Sequence, residues 1–420
     1  MSVDKSTFRL RTVHWLGMAG LGRNVGYGAN KVFTGPILES LKVSQPLIGI
    51  ILGLEGLLGL VMNPLTGWMS DRTVKPGFRR KIYVAVCLPG AAIAWLLFYF
   101  LHSPTPAMIV IVFFYLFQQS STSPYQAWMP EVVPASKWGL ASGYLNLWWL
   151  IGNLIAFLVI PMVWTINHVG AFVLTSTLMV LGGLITVFGV QEPVVAVAPR
   201  VERDKTSYRT LLHRNLVLYF AVHLLSWLSF EALASFFTLF IVHVAKGTQL
   251  DAALAMSVFT ATGIVSAFLI GKIYRQTSPK VTLSVSLALY GLFSLAGLFV
   301  HSMVFVFVIV GIEGIFWSAN LTVSFALASE LLRQIVNNEA LEERLRGGLF
   351  GVNTLMESAG LLIAAPLAGL VIAWSGGNYA GMFLVSAIAS LLAIWFVMMI
   401  RLKPKQHDEI THHPVRHLPG

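Results

Sequence analysis

The chain has 420 residues, of which 56% are hydrophobic and only 11% are charged, and its formal net charge is +10. So few charges exclude a water-soluble protein of this length, whereas a protein that crosses a membrane many times needs no more. The single cysteine, Cys87, excludes a disulfide framework and a thiolate metal site. No cofactor or resident metal is expected.

Twelve apolar stretches have the length of a membrane-spanning helix, which predicts an all-α membrane protein. They fall at about residues 12–34, 45–69, 82–101, 107–129, 139–164, 169–190, 214–243, 251–273, 279–301, 303–326, 347–373 and 378–400. The first stretch is interrupted by Arg23 and Lys31, so it lacks the compact apolar core of a signal peptide and no cleavage is expected.

The basic residues predict the orientation in the membrane. All but four of the 28 Lys and Arg residues lie at the two termini or in the loops that share a side with them. Because basic residues accumulate on the cytoplasmic face, both termini are expected inside the cell, in the cytoplasmic membrane. This placement accounts for the positive charge, so no nucleic acid partner is expected.

The longest polar stretch between spans divides the chain into two halves, each with six helices. A short pattern in the fifth span, Gly143 and Gly152 to Ala156, recurs 208 residues later in the eleventh span. Two repeated halves with a binding site at their interface are a known plan of transporters. The predicted division is an N-terminal half at 1–190, a cytoplasmic linker at 191–213, a C-terminal half at 214–400 and a cytoplasmic tail at 401–420.

The loop after the second span contains a recognisable motif. A glycine is followed four residues later by an aspartate and a base, and then by a basic cluster: Gly67, Asp71, Arg72, Arg79 and Arg80. This pattern resembles the cytoplasmic signature of the major facilitator superfamily, which implies two bundles of six helices. Gly67 would permit close helix packing, and Asp71 would cap a helix end or pair with an arginine. We expect these five residues and Glu131 to form a cytoplasmic gate.

A second loop refines the resemblance. The segment from Ser123 to Glu131, with its two prolines and Tyr125, is similar to the fourth helix of the glycoside and sucrose cation symporters. That branch implies symport of a sugar with a coupling ion. One departure is Gln126, where plant-type sucrose symporters have an arginine.

Four glutamates lie near the middle of otherwise apolar spans: Glu55, Glu231, Glu313 and Glu357. A charge at the centre of a bilayer costs at least ~2.5 kcal/mol, so such acids usually face a partner or a wet cavity. A buried carboxyl group can gain or lose a proton near neutral pH, which suggests proton coupling. We favour Glu231 or Glu313, because their helices line the cavity in the superfamily, with Glu357 third. Glu55 could instead form a structural pair with Arg23.

Polar and aromatic residues recur at helical spacing at about the depth of the four glutamates. The resemblance to the major facilitator superfamily implies a central cavity at that depth. Amides could bind sugar hydroxyls, and tryptophan could stack on a sugar ring. The alternatives are aromatic packing and hydrogen bonds between helices without substrate. The candidate substrate-binding residues are Arg23, Asn24, Tyr27, Gln119, Gln126, Asn146, Trp149, Asn153, His223, Trp227, Trp317, Asn320 and Asn353.

These observations predict a monomeric secondary active transporter and not an enzyme, because no nucleophile elbow, metalloprotease motif or P-loop occurs. The expected activity is proton-coupled symport of a sugar or glycoside by alternating access. The alternative is proton-coupled export or uptake of drugs, organic anions or other small metabolites, and Arg23 favours an anion. Sodium could replace the proton, since the same acids could bind Na⁺.

Overall fold

The computed structural model describes residues 10–73, 77–134, 137–192, 209–336 and 338–402. Helices joined by short connections make up this part of the chain, and no β-strand occurs in it. Most of the predicted linker and all but two residues of the predicted C-terminal tail lie outside the described residues.

The first half contains six long helices, and the fifth of them is interrupted by a π-helical turn. The helices are α1 (Leu10–Ser40), α2 (Gln45–Arg72), α3 (Lys81–Phe100), α4 (Pro104–Val132), α5 (Trp138–Leu154, the turn Ile155–Val159, then Ile160–Ile166) and α6 (His168–Gly189).

The second half begins with a short 3₁₀ turn at Arg209–Leu212 and contains six more long helices. They are α7 (Arg214–His243), α8 (Gln249–Gln276), α9 (Pro279–Gly297), α10 (Met303–Ile335), α11 (Glu339–Trp374) and α12 (Gly381–Met399).

Ten helices of the described chain are long and apolar enough to cross a membrane. The two that fall short are α1 and α4, because α1 contains Arg23 and Lys31 and α4 contains a polar run from Gln118 to Ser123. Polar and charged side chains are tolerated in a helix that is surrounded by protein, whereas in a helix that faces lipid they are energetically costly. More than half of the residues of α1 are buried, which fits this explanation, whereas α4 also exposes apolar side chains such as Ile109 and Phe113.

Several helix starts follow from local sequence. Proline lies in the first turn of α2, α4 and α9, where its missing N–H would have no helical partner in any case. Other prolines lie inside helices, for example Pro124 in α4 and Pro366 in α11. Such interior prolines are tolerated in membrane helices because neighbouring groups satisfy the freed carbonyls.

Each half packs internally through its own aromatic and aliphatic side chains. In the first half, α1 packs against α5 and α6, and Trp95 of α3 stacks on Phe172 of α6 at 4.7 Å between ring centroids. In the second half, α7 packs against α11 and α12, and α8 against α10. The halves meet where α2 contacts α11, where α1 contacts α7, and where the π-turn and last segment of α5 contact α8.

We call the end of the bundle with Arg72, Arg80 and Arg214 the basic end, and the end with the turns at Ser44 and Ser375 the far end. The halves are in tight contact towards the far end. A methyl group on Gly49 would collide with Ala365 O of α11, and one on Gly56 with Ser358 O and Leu362 N. The backbones of α2 and α11 therefore touch directly.

Polar contacts also join the two halves at the far end. The Glu39 carboxylate of α1 lies 2.7 Å from His243 Nε2 of α7 and accepts a hydrogen bond from the Tyr379 hydroxyl. The ring of His243 stacks on that of Tyr379.

Three glycines nearer the basic end have no such close neighbours. A methyl group on Gly143 of α5, or on Gly347 or Gly351 of α11, would meet no atom within 4 Å. The close backbone contacts between α2 and α11 thus lie towards the far end, and three glycines nearer the basic end face open space.

Candidate functional site

A buried ion pair joins the two halves beneath the far end. Lys31 Nζ of α1 lies 2.8 Å from Glu231 Oε2 of α7 and 3.6 Å from Glu55 Oε2 of α2. Both carboxylates are almost inaccessible, with Glu55 3% and Glu231 2% exposed. Two acids from opposite halves therefore share one lysine, and the expected pair of Glu55 with Arg23 is not formed.

Neighbouring polar groups hold both acids. The Tyr27 hydroxyl donates to Glu231 Oε1 at 3.2 Å, and the Tyr27 ring lies under the Lys31 ammonium at 5.0 Å. On the other side, Asn30 Nδ2 donates to Glu55 Oε2 at 3.4 Å. The Asn30 carbonyl oxygen in turn accepts from Thr34 and Tyr115, which orients the amide.

A third acid, Glu357 of α11, lies within electrostatic range of Glu55, Glu231 and Lys31. Its side chain makes no hydrogen bond or ion pair with any residue that the structure describes. Glu55 and Glu231 are buried, whereas Glu357 is partly exposed. One lysine thus faces two buried acids, with a third acid near them, and removing such charges from water is costly unless they are paired or neutralised.

Arg23 lies closer to the basic end on the same helix as Lys31. Its Nη2 donates to Thr122 Oγ1 at 2.6 Å, and its guanidinium lies 5.8 Å from the Tyr125 ring centroid. Arg23 Nε is buried without a partner, and no acid of the described chain forms an ion pair with this guanidinium. The arginine thus retains donors that a ligand could use.

The second half contributes a cluster of buried polar groups between α7, α10 and α11. His223 Nδ1 lies 3.5 Å from Ser324 Oγ, and the Tyr219 hydroxyl points towards Ser324 and Asn353. Several atoms around this cluster are buried without a hydrogen-bond partner in the described chain: Trp227 Nε1, Asn320 Oδ1, and both Oδ1 and Nδ2 of Asn353. Unpartnered buried polar atoms are costly, so they mark a place where a ligand or water would bind.

The three predicted tryptophans differ in their surroundings. The rings of Trp227 and Trp317 pack edge to face, with 5.2 Å between their centroids. Trp317 also stacks on Phe230 at 4.5 Å, so both tryptophans are engaged in packing against other rings. Trp149 of α5 is 47% exposed, and no aromatic ring of the described chain packs against it. Trp149 is therefore the one of the three with space for a stacked ligand.

The remaining predicted binding residues lie in the first half. Asn24 is buried and donates to the Trp149 backbone oxygen at 3.0 Å, which ties α1 to α5. Gln119 lies beside Gly59 of α2, and Asn153 has a buried carbonyl oxygen without a partner. Gln126 and Asn146 are exposed.

Glu313 is placed apart from the other three glutamates. It is 2% exposed and accepts a hydrogen bond from Ser294 of α9 at 2.8 Å. Ser294 contacts Ser386 of α12, which in turn contacts Ser229 of α7. Glu313 therefore lies among serines inside the second half, and not at the interface of the halves.

A sequence comparison identifies the family. A family model described as Major Facilitator Superfamily matches residues 18–337, which is more than half of the chain. The chain belongs to the Major Facilitator Superfamily. No curated protein is similar enough in sequence to be counted as a relative.

Solved structures share the fold of this facilitator protein. One is a bacterial homologue of the human lysosomal transporter Spinster, in an inward-facing and unoccupied conformation: the TM-score is 0.71 at 14% identity, covering 95% of this chain and 100% of that one. Another is the nucleoside transporter NupG, with a TM-score of 0.73 at 15% identity, covering 93% and 100%. Likeness at such low identity establishes the fold alone.

The motif loop of this facilitator protein forms a compact charge cluster at the basic end. Arg80 Nη2 lies 2.6 Å from Asp71 Oδ1 and 2.8 Å from Glu131 Oε1. Arg79 lies 3.1 Å from the same Asp71 oxygen and 3.3 Å from Glu131. Gly67 brings α2 against α4, since a methyl group there would lie 2.6 Å from Ser123 Oγ.

All these partners belong to the first half, so in this conformation the cluster ties α2, α3 and α4 together and does not bridge the halves. Arg72 is outside the cluster, with its guanidinium 3.9 Å from the Trp68 ring centroid. Burial by itself lowers the pKa of Arg80, but the hydrogen bonds and charges of Glu131 and Asp71 raise it above its usual value.

Glu192, directly after α6, is a member of this cluster that the sequence analysis missed. Its carboxylate accepts hydrogen bonds from the backbone N–H groups of Arg80 and Lys81, at the start of α3. Burial raises the pKa of Glu192 above its usual value. In the sequence, the only local sign that Glu192 binds the start of α3 is an acid shortly after an apolar span. Its partner Arg80 is 112 residues away, so no local pattern connects the two.

Replacing Arg80 by alanine should destabilise the protein more than replacing Arg72. The change would leave Glu131 and Asp71 without their main partner. We expect the free energy of unfolding to fall by about 2–4 kcal/mol, which is less than for a fully buried ion pair because Asp71 is half exposed. Arg72→Ala should cost only about 0.5–1 kcal/mol, since it loses a single cation–π contact. Thermal unfolding in detergent would measure both. Equal Tm values for the two variants would contradict a structural role of the cluster.

Proposed function

We propose that this transporter moves a sugar or glycoside together with protons, by alternating access of a site between its two halves. The observation that supports this best is the set of buried hydrogen-bonding groups without protein partners, in Trp227, Asn320 and Asn353. A sugar presents many hydroxyl groups that both donate and accept. Amide groups can satisfy both roles at once, which a charged or purely apolar site could not.

The aromatic surroundings favour the same class of ligand. The apolar C–H face of a sugar ring can stack on an exposed aromatic ring, and Trp149 presents one. Trp227 adds a buried indole N–H that has no hydrogen-bond partner in the described chain. The resemblance of the segment Ser123–Glu131 to glycoside and sucrose symporters is a second, independent argument.

Proton coupling is assigned to the acids at the interface of the halves. Glu231 is the first choice, since its partners Lys31 and Tyr27 belong to the opposite half. Alternating access would break and remake those contacts, so the environment of Glu231 would change in each cycle. Glu357 is the second choice because it lies near the same charges without a partner. In the described chain Glu313 accepts its hydrogen bond from Ser294 of its own half, and Glu55 contacts Lys31 within its own half.

The placement of basic residues supports a cytoplasmic basic end and both termini inside the cell. With that orientation the far end, where α2 and α11 are in backbone contact, would face the outside. The partners of a monomer in this setting would be its small-molecule substrate and the lipid bilayer.

Uptake or export of an organic anion is the second candidate function. The observation that favours it is Arg23, a buried guanidinium with an unpartnered Nε and no ion pair in the described chain. A planar fork of donors matches a carboxylate or phosphate group. The same experiment therefore includes acidic compounds.

Proton uptake driven by substrate would test the proposal. Purified protein in proteoliposomes with a pH-sensitive dye would be given neutral glycosides, disaccharides and organic acids in turn. We expect alkalinisation outside the vesicles with a neutral sugar. A response confined to organic acids would contradict the sugar proposal and favour the second candidate.

Asn353→Ala should weaken the apparent affinity for that sugar about tenfold, because one or two hydrogen bonds of about 1 kcal/mol would be lost. The control is Thr354→Ala on the same helix, whose hydroxyl bonds to Phe350 O. The half-saturating concentration in the dye assay measures both variants. An unchanged value for Asn353→Ala would exclude this amide from the site.

A further inference from the structure

A cavity lies at the basic end of the second half, where the starts of α7 and α9 meet the end of α12. Its volume is about 530 Å³, and three basic residues line it, Arg214, Lys280 and Arg401. In the part of the chain that the structure describes, no acid lines this cavity or forms an ion pair with these three side chains. We call it the basic cavity, since the described residues supply no counter-charge for it.

Hydrogen bonds hold the walls of the basic cavity together. The Lys280 ammonium donates to Met398 O at 2.7 Å and to Ile400 O at 2.9 Å, two carbonyls at the C-terminal end of α12. Asn215 of α7 donates to Arg401 O at 2.8 Å and accepts from Arg401 N at 3.3 Å. The end of α12 is thus held between α7 and α9. An ammonium group has three N–H donors, so Lys280 has a third for a ligand.

The first turn of α9 adds further donors to the same wall. Ser278 precedes the helix with extended backbone, and its side chain makes no capping hydrogen bond. Because Pro279 has no N–H, the first unpaired N–H groups of the helix are those of Lys280 and Val281. These groups and the positive end of the helix dipole favour an anion. Together with two guanidinium groups and an ammonium group, they suit a phosphate.

Apolar side chains flank the basic cavity on the surface that faces lipid. Val281 and Val285 lie one turn apart on α9, Trp395 and Met398 lie one turn apart on α12, and each is more than half exposed. Ser284 Oγ of α9 lies 4.0 Å from Met398 Sδ, so the two exposed faces adjoin. Tryptophan is common at the level of the lipid head groups. The basic cavity therefore lies where head groups give way to acyl chains.

We propose that the basic cavity binds the head group of an anionic phospholipid, whose acyl chains lie along the exposed faces of α9 and α12. The phosphate of the lipid accepts hydrogen bonds from Arg214, Lys280 and Arg401. One lipid then contacts α7, α9 and α12 together and stabilises the second half. The basic end is expected to face the cytoplasm, and the cytoplasmic leaflet is the one that contains anionic lipids.

The charges and the apolar flank favour this occupant over two others. A zwitterionic head group carries a cationic group of its own, which the three basic side chains would repel. A free phosphate ion matches the charges but makes no use of the exposed apolar faces. An anionic phospholipid satisfies both features of the cavity.

The test measures lipid binding to the purified full-length protein. After removal of native lipid with a neutral detergent, native mass spectrometry would give the apparent Kd of the first bound lipid. The probes are phosphatidylglycerol, which is anionic, and phosphatidylcholine with the same acyl chains, which is zwitterionic. We expect phosphatidylglycerol to bind the wild-type protein about tenfold or more tightly, since each basic residue near an anionic lipid contributes about fivefold.

Arg214→Gln with Arg401→Gln is the main variant, because both side chains are exposed and take no part in the hydrogen bonds that hold α12. It should weaken binding of phosphatidylglycerol about 25-fold and leave binding of phosphatidylcholine unchanged. The matched control, Arg333→Gln with Arg346→Gln, removes the same charge from residues that are paired with acids of their own helices. That control should bind phosphatidylglycerol within about twofold of the wild-type protein.

Thermal unfolding checks that each variant is folded, since a thiol-reactive dye reports exposure of the buried Cys87. Phosphatidylglycerol should raise the Tm of the wild-type protein and of the control, but not that of the main variant. Inorganic phosphate should raise none of the three.

Equal affinity of the wild-type protein for the two lipids would overturn the proposal. So would an equal loss of affinity in the main variant and the control, which would indicate a general effect of net charge. A Tm increase with inorganic phosphate that the main variant loses would identify a free anion as the occupant and overturn the lipid assignment. No transported compound is present, so the outcome is independent of the proposed function.

Discussion

Replacing Glu231 by glutamine should abolish proton-driven accumulation of the substrate while leaving exchange of substrate across the membrane intact. With one proton per substrate, a gradient of two pH units can sustain an accumulation of about 100-fold, and this should fall to about onefold in the variant. Glutamine keeps the size of the side chain and can still accept a hydrogen bond from Lys31 or Tyr27. It cannot release a proton, so the protein would equilibrate the substrate without concentrating it.

The measurement compares uphill uptake with entrance counterflow in the same proteoliposomes, using the sugar that gives a response in the dye assay. Glu313→Gln is the matched control, because it makes the same chemical change at a buried acid inside the second half. Uphill uptake should survive in this control. If Glu313→Gln uncouples transport and Glu231→Gln does not, the coupling acid lies among the serines and the assignment to the interface is wrong.

Gly56→Ala should impair transport because it disturbs the closure of the far end. The added methyl group would collide with Ser358 O and Leu362 N, which are backbone atoms and cannot rotate away. Either α2 and α11 must separate by a few tenths of an ångström or more, or the closed conformation is lost. Overpacking of this kind typically costs 1–3 kcal/mol, so we expect about a tenfold or greater shift towards the open far end.

Gly143→Ala is the matched control for this change, since a methyl group at that position meets no atom within 4 Å. Two quantities would be measured: the transport rate, and the distance between spin labels at Ser44 and Ser375, in the turns after α1 and α11, in a Cys87→Ser background. Both should change in Gly56→Ala and remain close to wild type in Gly143→Ala. Should both variants resemble the wild type, the direct contact of α2 with α11 would have no part in closure. Impairment of both would indicate a general intolerance of alanine in these helices.

The sequence by itself determined the membrane architecture of this protein. An apolar stretch of about 20 residues can satisfy its backbone in lipid only as a helix, so spans and fold class follow from local composition. The four midplane glutamates stand out for a similar reason, because a charge within an apolar span is expensive wherever it lies. The motif from Gly67 to Arg80 predicted the superfamily to which the chain belongs.

Only the tertiary structure decided which of these charges meet. Lys31 stands out in the sequence only as an interruption of the first apolar stretch and has no role assigned there, because its partners are 24 and 200 residues away. Glu313 and Glu231 look alike in sequence, yet one faces serines within its own half and the other faces a lysine of the opposite half. Helical spacing places a side chain on a face of its own helix, but which helix that face meets depends on how the two halves pack.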